Sequence, residues 1–388
     1  MIQKDFKFQL RMTLPTLLVL VAAAGWKYKL GDREPENRVE RAIEIMGRTG
    51  LSAQEEAELT AGYYEGLLDG AQQTARTRRG LLSNLAMLKT PPPDWLNFSE
   101  TAGVRWRNDF LRYDIQPGVD IPLKGDRLVA NRWGQRDIDY EKKRPPNTRR
   151  LALVGSSISF GSCIAMDAGY EALLEARLNA EPPCNSGLRY EIMNFSVPGY
   201  MITQLMDMAI EITPDFEPQA VFFVLNYLAF GPEWSSHIAT LVRDGHDLKY
   251  DFLKEFAEKA RLRQSDTASR IASKLAPYRL DVIEACIRET KRRLDEKGIE
   301  TVILIVPFPA QRDLLKRQTR EVLKRVSDLD LPVLDGVAAF GTRPIEELRA
   351  REWDNHPNEL GHRLIFEVLD EQIRTQPRLR RVIGGCTD

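Results

Sequence analysis

Over its central and C-terminal parts the chain alternates short apolar runs with longer stretches in which apolar residues recur every three or four positions. The runs 151–154, 190–195, 220–225, 301–306 and 332–334 are short, apolar and often β-branched, as strands buried on both faces should be. Helical periodicity fills the intervals near 169–180, 200–212, 278–298, 311–327 and 358–374,. This alternation predicts a parallel sheet with crossover helices. Residues 149–376 are therefore expected to form an α/β domain, a three-layer α/β/α sandwich around a five-stranded parallel sheet. The stretch 228–277 reads as an insertion. In such sheets chemistry gathers where the carboxyl ends of the strands meet loops.

The N-terminal third has a different pattern. Residues 12–26 carry no charge and follow Lys4, Lys7 and Arg11, the order of a basic n-region and an apolar h-region. Residues 1–30 are thus expected to be a signal or membrane anchor. Ala22, Ala23 and Ala24 offer a small-residue cleavage pattern, which would give a secreted protein. Trp26, Lys27, Tyr28 and Lys29 instead suit an uncleaved helix ending at a lipid interface, and the reading adopted is an anchor whose remainder is exported to the periplasmic or extracellular face. Residues 31–90 read as a small helical neck, with Ile43, Met46, Leu59, Tyr63 and Leu67 at helical spacing and Ser52 with Glu55 as a capping box,. Pro91, Pro92 and Pro93 end it. Residues 91–148, rich in Trp, Asp, Gly and Pro, are expected to form an extended lead-in packed on the α/β domain, and 377–388 a C-terminal tail.

Charge and cysteine narrow the chemistry. With 55 basic against 56 acidic residues, the chain has no electrostatic signature of a nucleic-acid partner. Four cysteines are too few for a disulfide scaffold, and none forms the C-x-x-C pair of a zinc site,. Cys163 and Cys184 flank one predicted helix and could meet in an oxidising compartment.

Two segments carry candidate chemistry. The first predicted strand runs into Gly155-Ser156-Ser157-Ile158-Ser159-Phe160-Gly161. Glycine permits a sharp turn there, and a serine at a helix entry has exposed N–H groups able to stabilise an oxyanion. The segment lacks the Gly-Lys-Ser/Thr of a phosphate loop and the spacing of G-x-S-x-G. The second segment is Trp353-Asp354-Asn355-His356-Pro357-Asn358-Glu359-Leu360-Gly361-His362. A histidine is the usual base for a serine nucleophile, and a nearby aspartate can hold its tautomer. Both would come from one loop ahead of a helix capped by Asn358, with His362 inside the helix and packing. Taken singly, each segment has a plainer reading, as a turn and as a surface loop histidine.

Together, the two blocks resemble GDSxxxG and D-x-(x)-H-P-N-x-x-G-H of the SGNH/GDSL-type esterases and acyl hydrolases. Asn194 to Tyr200 resembles the segment that carries that family's oxyanion glycine, here Gly199. Asn226, ending the third strand, resembles its oxyanion asparagine, and Asn131 to Asp137 resembles the lead-in of exported bacterial members. The resemblance implies an SGNH/flavodoxin-like sheet, Ser157 as nucleophile, His356 as base, Asp354 as its orienting partner, and an oxyanion hole of Ser157, Gly199 and Asn226. It implies no metal or organic cofactor, and an acyl-ester substrate on a carbohydrate or lipid. The chain departs from the family in three places: Ser156 replaces an aspartate, Val224-Leu225-Asn226-Tyr227 replaces Gly-x-Asn-Asp, and Asp354 stands two rather than three residues before His356. The same triad could serve an O-acyltransferase, and a non-catalytic carbohydrate-binding or assembly protein could keep the fold.

Overall fold

The computed structural model describes residues 91–184, 187–310 and 312–386. The expected anchor at 12–26 and the neck at 31–90 lie outside the described residues. Among the described residues no helix is long and apolar enough to cross a membrane.

Two antiparallel hairpins come first, β1 (Val104–Trp106) with β2 (Tyr113–Ile115) and β3 (Asp120–Leu123) with β4 (Asp126–Val129). The chain continues through β5 (Thr148–Val154), the short helix α1 (Ser157–Phe160), α2 (Tyr170–Ala180) and β6 (Arg189–Asn194). Next come α3 (Ile202–Asp207), which runs on through a π turn, and β7 (Ala220–Leu225). The insertion at 228–277 is helical, with segments Ser236–Asp244, Asp251–Lys259 and Ala268–Leu275. It leads into α4 (Arg279–Asp295), β8 (Glu300–Ile305), α5 (Arg312–Arg325) and β9 (Val333–Asp335). A last hairpin, β10 (Arg349–Arg351) with β11 (Asp354–Pro357), precedes α6 (Glu359–Thr375) and α7 (Pro377–Val382).

Strands β6-β5-β7-β8-β9, in that order, make one parallel sheet of five. Side chains alternate across it. In β7, Ala220, Phe222 and Val224 face one core while Val221, Phe223 and Leu225 face the other. Leu151 and Leu153 oppose Ala152 and Val154 in β5 in the same way. Burial on both faces explains why these strands are apolar throughout rather than alternating. One face is covered by α2, α6 and α7 through Tyr170, Leu174, Ile365, Leu369 and Leu379. The other is covered by α3 and α4, with Ile202, Leu205, Val282, Ile283 and Ile287.

The lead-in belongs to this second core. Phe98, Phe110, Leu111, Ile115 and Leu128 are buried within it. Asn131 closes a turn by accepting the N–H groups of Trp133 and Gln135, which presents Arg136 to the end of α1. The buried Arg136 guanidinium donates to the carbonyls of Phe160 and Gly161, and also to those of Ile164 and Arg127. These include C-terminal carbonyls that so short a helix leaves without internal partners.

The expected meeting of Cys163 and Cys184 does not occur. Cys184 is bonded to Cys386 across 202 residues of sequence, because α7 brings the C-terminal segment back beside the end of α2. Leu379, Val382 and Ile383 are buried there, and the Tyr190 hydroxyl donates to the Gly384 carbonyl. The segment 377–386 is therefore docked structure. Cys163 points instead toward Asp354. Removing the bridge by Cys386→Ser should lower unfolding free energy by about 2–5 kcal/mol. Equilibrium urea unfolding measures this, and equal stability of the variant and the wild type would contradict the account.

Candidate active site

The turn after β5 is shaped for close approach. A Cβ on Gly155 would stand 2.4 Å from Ser159 Oγ, so a larger residue cannot occupy this position without displacing the helix that follows. Ser156 is the N-cap of α1 and Ser157 its first residue. On the other side of the site, Asp354 and His356 lie on β11, not in a loop. This corrects the sequence expectation and accounts for the two-residue spacing, since alternate residues of a strand project to the same side.

The three side chains form a continuous hydrogen-bonded line. Ser157 Oγ is 2.8 Å from His356 Nε2, and His356 Nδ1 is 2.6 Å from Asp354 Oδ1. Asp354 Oδ1 also accepts the His356 backbone N–H at 3.1 Å, which ties the carboxylate to the strand that carries the imidazole. The Phe308 ring stands edge-on to His356 at 6.0 Å. All three residues are at least 98% buried.

The other carboxylate oxygen, Asp354 Oδ2, accepts from Trp95 Nε1 at 3.0 Å, Lys124 Nζ at 3.2 Å and Cys163 Sγ at 3.4 Å. Burial alone would raise the Asp354 pKa. The imidazole of His356 and the ammonium of Lys124 outweigh it and hold this carboxyl well below the usual carboxylate range,.

Gly199 lies five residues beyond the end of β6, and Asn226 directly follows β7. Gly199 has φ +81°, and the Tyr113 hydroxyl sits 2.8 Å from where a Cβ would be, so both conformation and space require glycine. Tyr113 itself donates to the Pro198 carbonyl. Among the described residues, the N–H groups of Ser157 and Gly199 have no acceptor. Asn226 caps the next short helix by accepting the Leu228 N–H, and its Nδ2 donates to Ser156 Oγ at 2.6 Å. Ser156 thus supplies the acceptor that holds this amide. Asn358 caps α6 by accepting the Gly361 N–H. His362 is buried within α6 and its Nδ1 accepts the Tyr170 N–H; burial pushes its pKa down to about 3.

Cys163, Asp354 and His356 bring potential metal-ligating atoms within 4.8 Å of one another. The cation position on Asp354 Oδ2 is already taken by Lys124 Nζ, and Oδ1 is engaged by the imidazole. A metal would have to displace both, so the set is better suited to holding protons than to holding an ion. Trp95, Lys124 and Cys163 are not marked as site residues by the sequence. Their contact with Asp354 spans 259, 230 and 191 residues, and no local pattern encodes it.

No protein-family model matches the chain, and no curated protein does. Several solved structures are similar to part of the chain. TesA overlaps 59% of this chain and 99% of its own at 14% identity and a TM-score of 0.38. Axe2, an acetylxylan esterase from Geobacillus stearothermophilus, overlaps 58% and 94% at 17% identity and a TM-score of 0.39. EstA, a psychrotrophic esterase from Pseudoalteromonas sp., overlaps 58% and 97% at 13% identity and a TM-score of 0.37.

A group of buried and half-buried acids lies at the Asn194 end of β6. Asp137 accepts the Asn194 N–H at 2.8 Å, and burial, with the charge of Glu175 added, pushes its pKa up to about 8. Burial likewise raises Glu171 and Glu175. An acid whose folded pKa is raised contributes stability below its unfolded pKa and loses it as pH climbs through the folded value. Asp354 has the opposite sign, so its contribution is lost in acid. Thermal unfolding should therefore show its highest midpoint at about pH 4 and a steady fall toward about pH 8. A midpoint that is flat or rises over that interval would contradict the burial of these acids in their protonated form.

Proposed function

We propose that the chain is a serine-dependent acyl hydrolase of the SGNH/GDSL type that cleaves an O-acyl ester. The observation that carries the proposal is the hydrogen-bonded line from Ser157 Oγ through His356 to Asp354. A serine, a histidine presenting Nε2 to it and a buried carboxylate on Nδ1 are the parts that acyl transfer requires.

In this reading Ser157 Oγ attacks the acyl carbonyl as His356 Nε2 takes its proton. Asp354 holds the imidazole by Nδ1 and stabilises the imidazolium. The oxyanion is met by the N–H groups of Ser157 and Gly199 and by the Asn226 amide. The tetrahedral species collapses with transfer of the proton from His356 to the departing alcohol, leaving an acyl-serine. Water then attacks that ester as His356 takes its proton, and the second tetrahedral species collapses as His356 returns the proton to Ser157 Oγ, releasing the carboxylic acid. No step calls for a metal or organic cofactor. A sugar hydroxyl in place of the water would make the same site an O-acyltransferase.

The cellular setting is part of the proposal. A disulfide between Cys184 and Cys386 is the kind of cross-link that persists in oxidising compartments. The basic and apolar order of residues 4–26 supports export with an N-terminal anchor. Acyl groups on envelope or extracellular polysaccharide, or lipid esters, are the substrates such a location would offer.

Hydrolysis of p-nitrophenyl acetate and butyrate tests the chemistry. Ser157→Ala and His356→Ala should each lower kcat/KM by at least roughly a thousandfold in protein that thermal melting shows to be folded. Asn226→Ala should cost about 10²- to 10³-fold, the loss typical of one oxyanion donor. Turnover that survives Ser157→Ala would rule out this nucleophile.

A further inference from the structure

We propose that Lys124 is a positioning residue for the acyl-transfer site: its ammonium fixes the outer oxygen of Asp354 and keeps the Ser157–His356 pair working at lower pH. The inference rests on the proposed hydrolase chemistry and adds to it a residue from outside the α/β domain.

Lys124 and Gly125 are the two residues between β3 and β4. Their φ angles are +48° and +82°, the left-handed pair of a tight hairpin turn. A lysine seldom adopts that conformation, and here it projects inward. The Lys124 side chain is 3% exposed and the Asp354 side chain 0%. A buried ammonium is costly without a partner, and this one is set 3.2 Å from the carboxylate oxygen that the histidine does not use. With Trp95 Nε1 on the same oxygen, it prevents rotation of the carboxylate away from His356 Nδ1.

Charge gives Lys124 a second effect. A carboxylate facing only an imidazole favours the protonated ring, and a protonated ring cannot accept the proton of Ser157. A cation on the far oxygen offsets part of that charge. The groups facing the carboxylate are Lys124 from the β3–β4 turn, His356 from its own strand, Cys163 from the loop after α1 and the neutral Trp95. Arg351 on β10 lies over the Trp95 ring. Arg136 and His362 are the next groups, interacting with Cys163 and His356 respectively. Among the described residues, Lys124 is the cation that touches Asp354 directly.

The test compares wild type, Lys124→Met, Lys124→Gln and Lys124→Arg, each checked for folding by thermal melting. kcat and KM for p-nitrophenyl acetate are measured over about pH 4.5–9. In the neutral variants the acid limb of kcat/KM should move up by about one pH unit, and kcat should fall while KM holds, because Lys124 contacts Asp354 and not the ester. Lys124→Arg should restore the wild-type limb. A folded neutral variant with an unmoved acid limb overturns the inference. So does failure of both neutral variants to fold while Lys124→Arg behaves as wild type, since the ion pair is then a folding requirement alone. Wild-type turnover that is absent or independent of Ser157 would defeat the hydrolase reading itself, and this inference with it.

Discussion

A carboxylate taken fully out of water must be matched by donors and by charge, and the structure around Asp354 is arranged to do that. One oxygen serves the histidine through both its ring and its backbone N–H. The other accepts from an indole, an ammonium and a thiol. The donors come from four separate stretches of chain, so the site forms only when the lead-in, the loop after α1 and the β10–β11 hairpin have met. Removing one partner from a buried ion pair leaves the other uncompensated, at a typical cost of about 3–5 kcal/mol. The interaction that orients the imidazole is thereby also one that joins the lead-in to the α/β domain.

The remaining parts follow from the sheet. The neighbouring strands β6, β5 and β7 end together, and their carboxyl ends are followed by Gly199, Ser157 and Asn226. β11 lies outside this sheet, in its own hairpin, and brings Asp354 and His356 to the same edge. Arg136 secures the short helix α1 by taking up its end carbonyls. Ser156 Oγ and Asn226 Nδ2 are 2.6 Å apart, which ties the turn after β5 to the end of β7.

The sheet was legible because strands buried on both faces must be continuously apolar, and 220–225 or 301–306 can be read without knowing their neighbours. The serine was legible because it follows the first apolar strand, and the Asp–His pair because it stands just ahead of a helix capped by Asn358. The state of the Asp–His segment was not. A two-residue spacing fits a loop as well as a strand, and only pairing with Arg349–Arg351 decides it. Lys124 was hidden for a related reason: its turn is local, but its partner is 230 residues away. The Cys184–Cys386 bridge escaped likewise, since proximity along the chain suggested Cys163 while the docking of α7 selects Cys386.

The central claim is that His356 activates Ser157 as a nucleophile. Incubation with a fluorophosphonate followed by peptide mass analysis tests it without knowledge of the natural ester. Wild-type protein should form a single adduct, on the peptide containing Ser157, and His356→Ala should form none. Adduct on another residue, or none from folded wild-type protein, would contradict it.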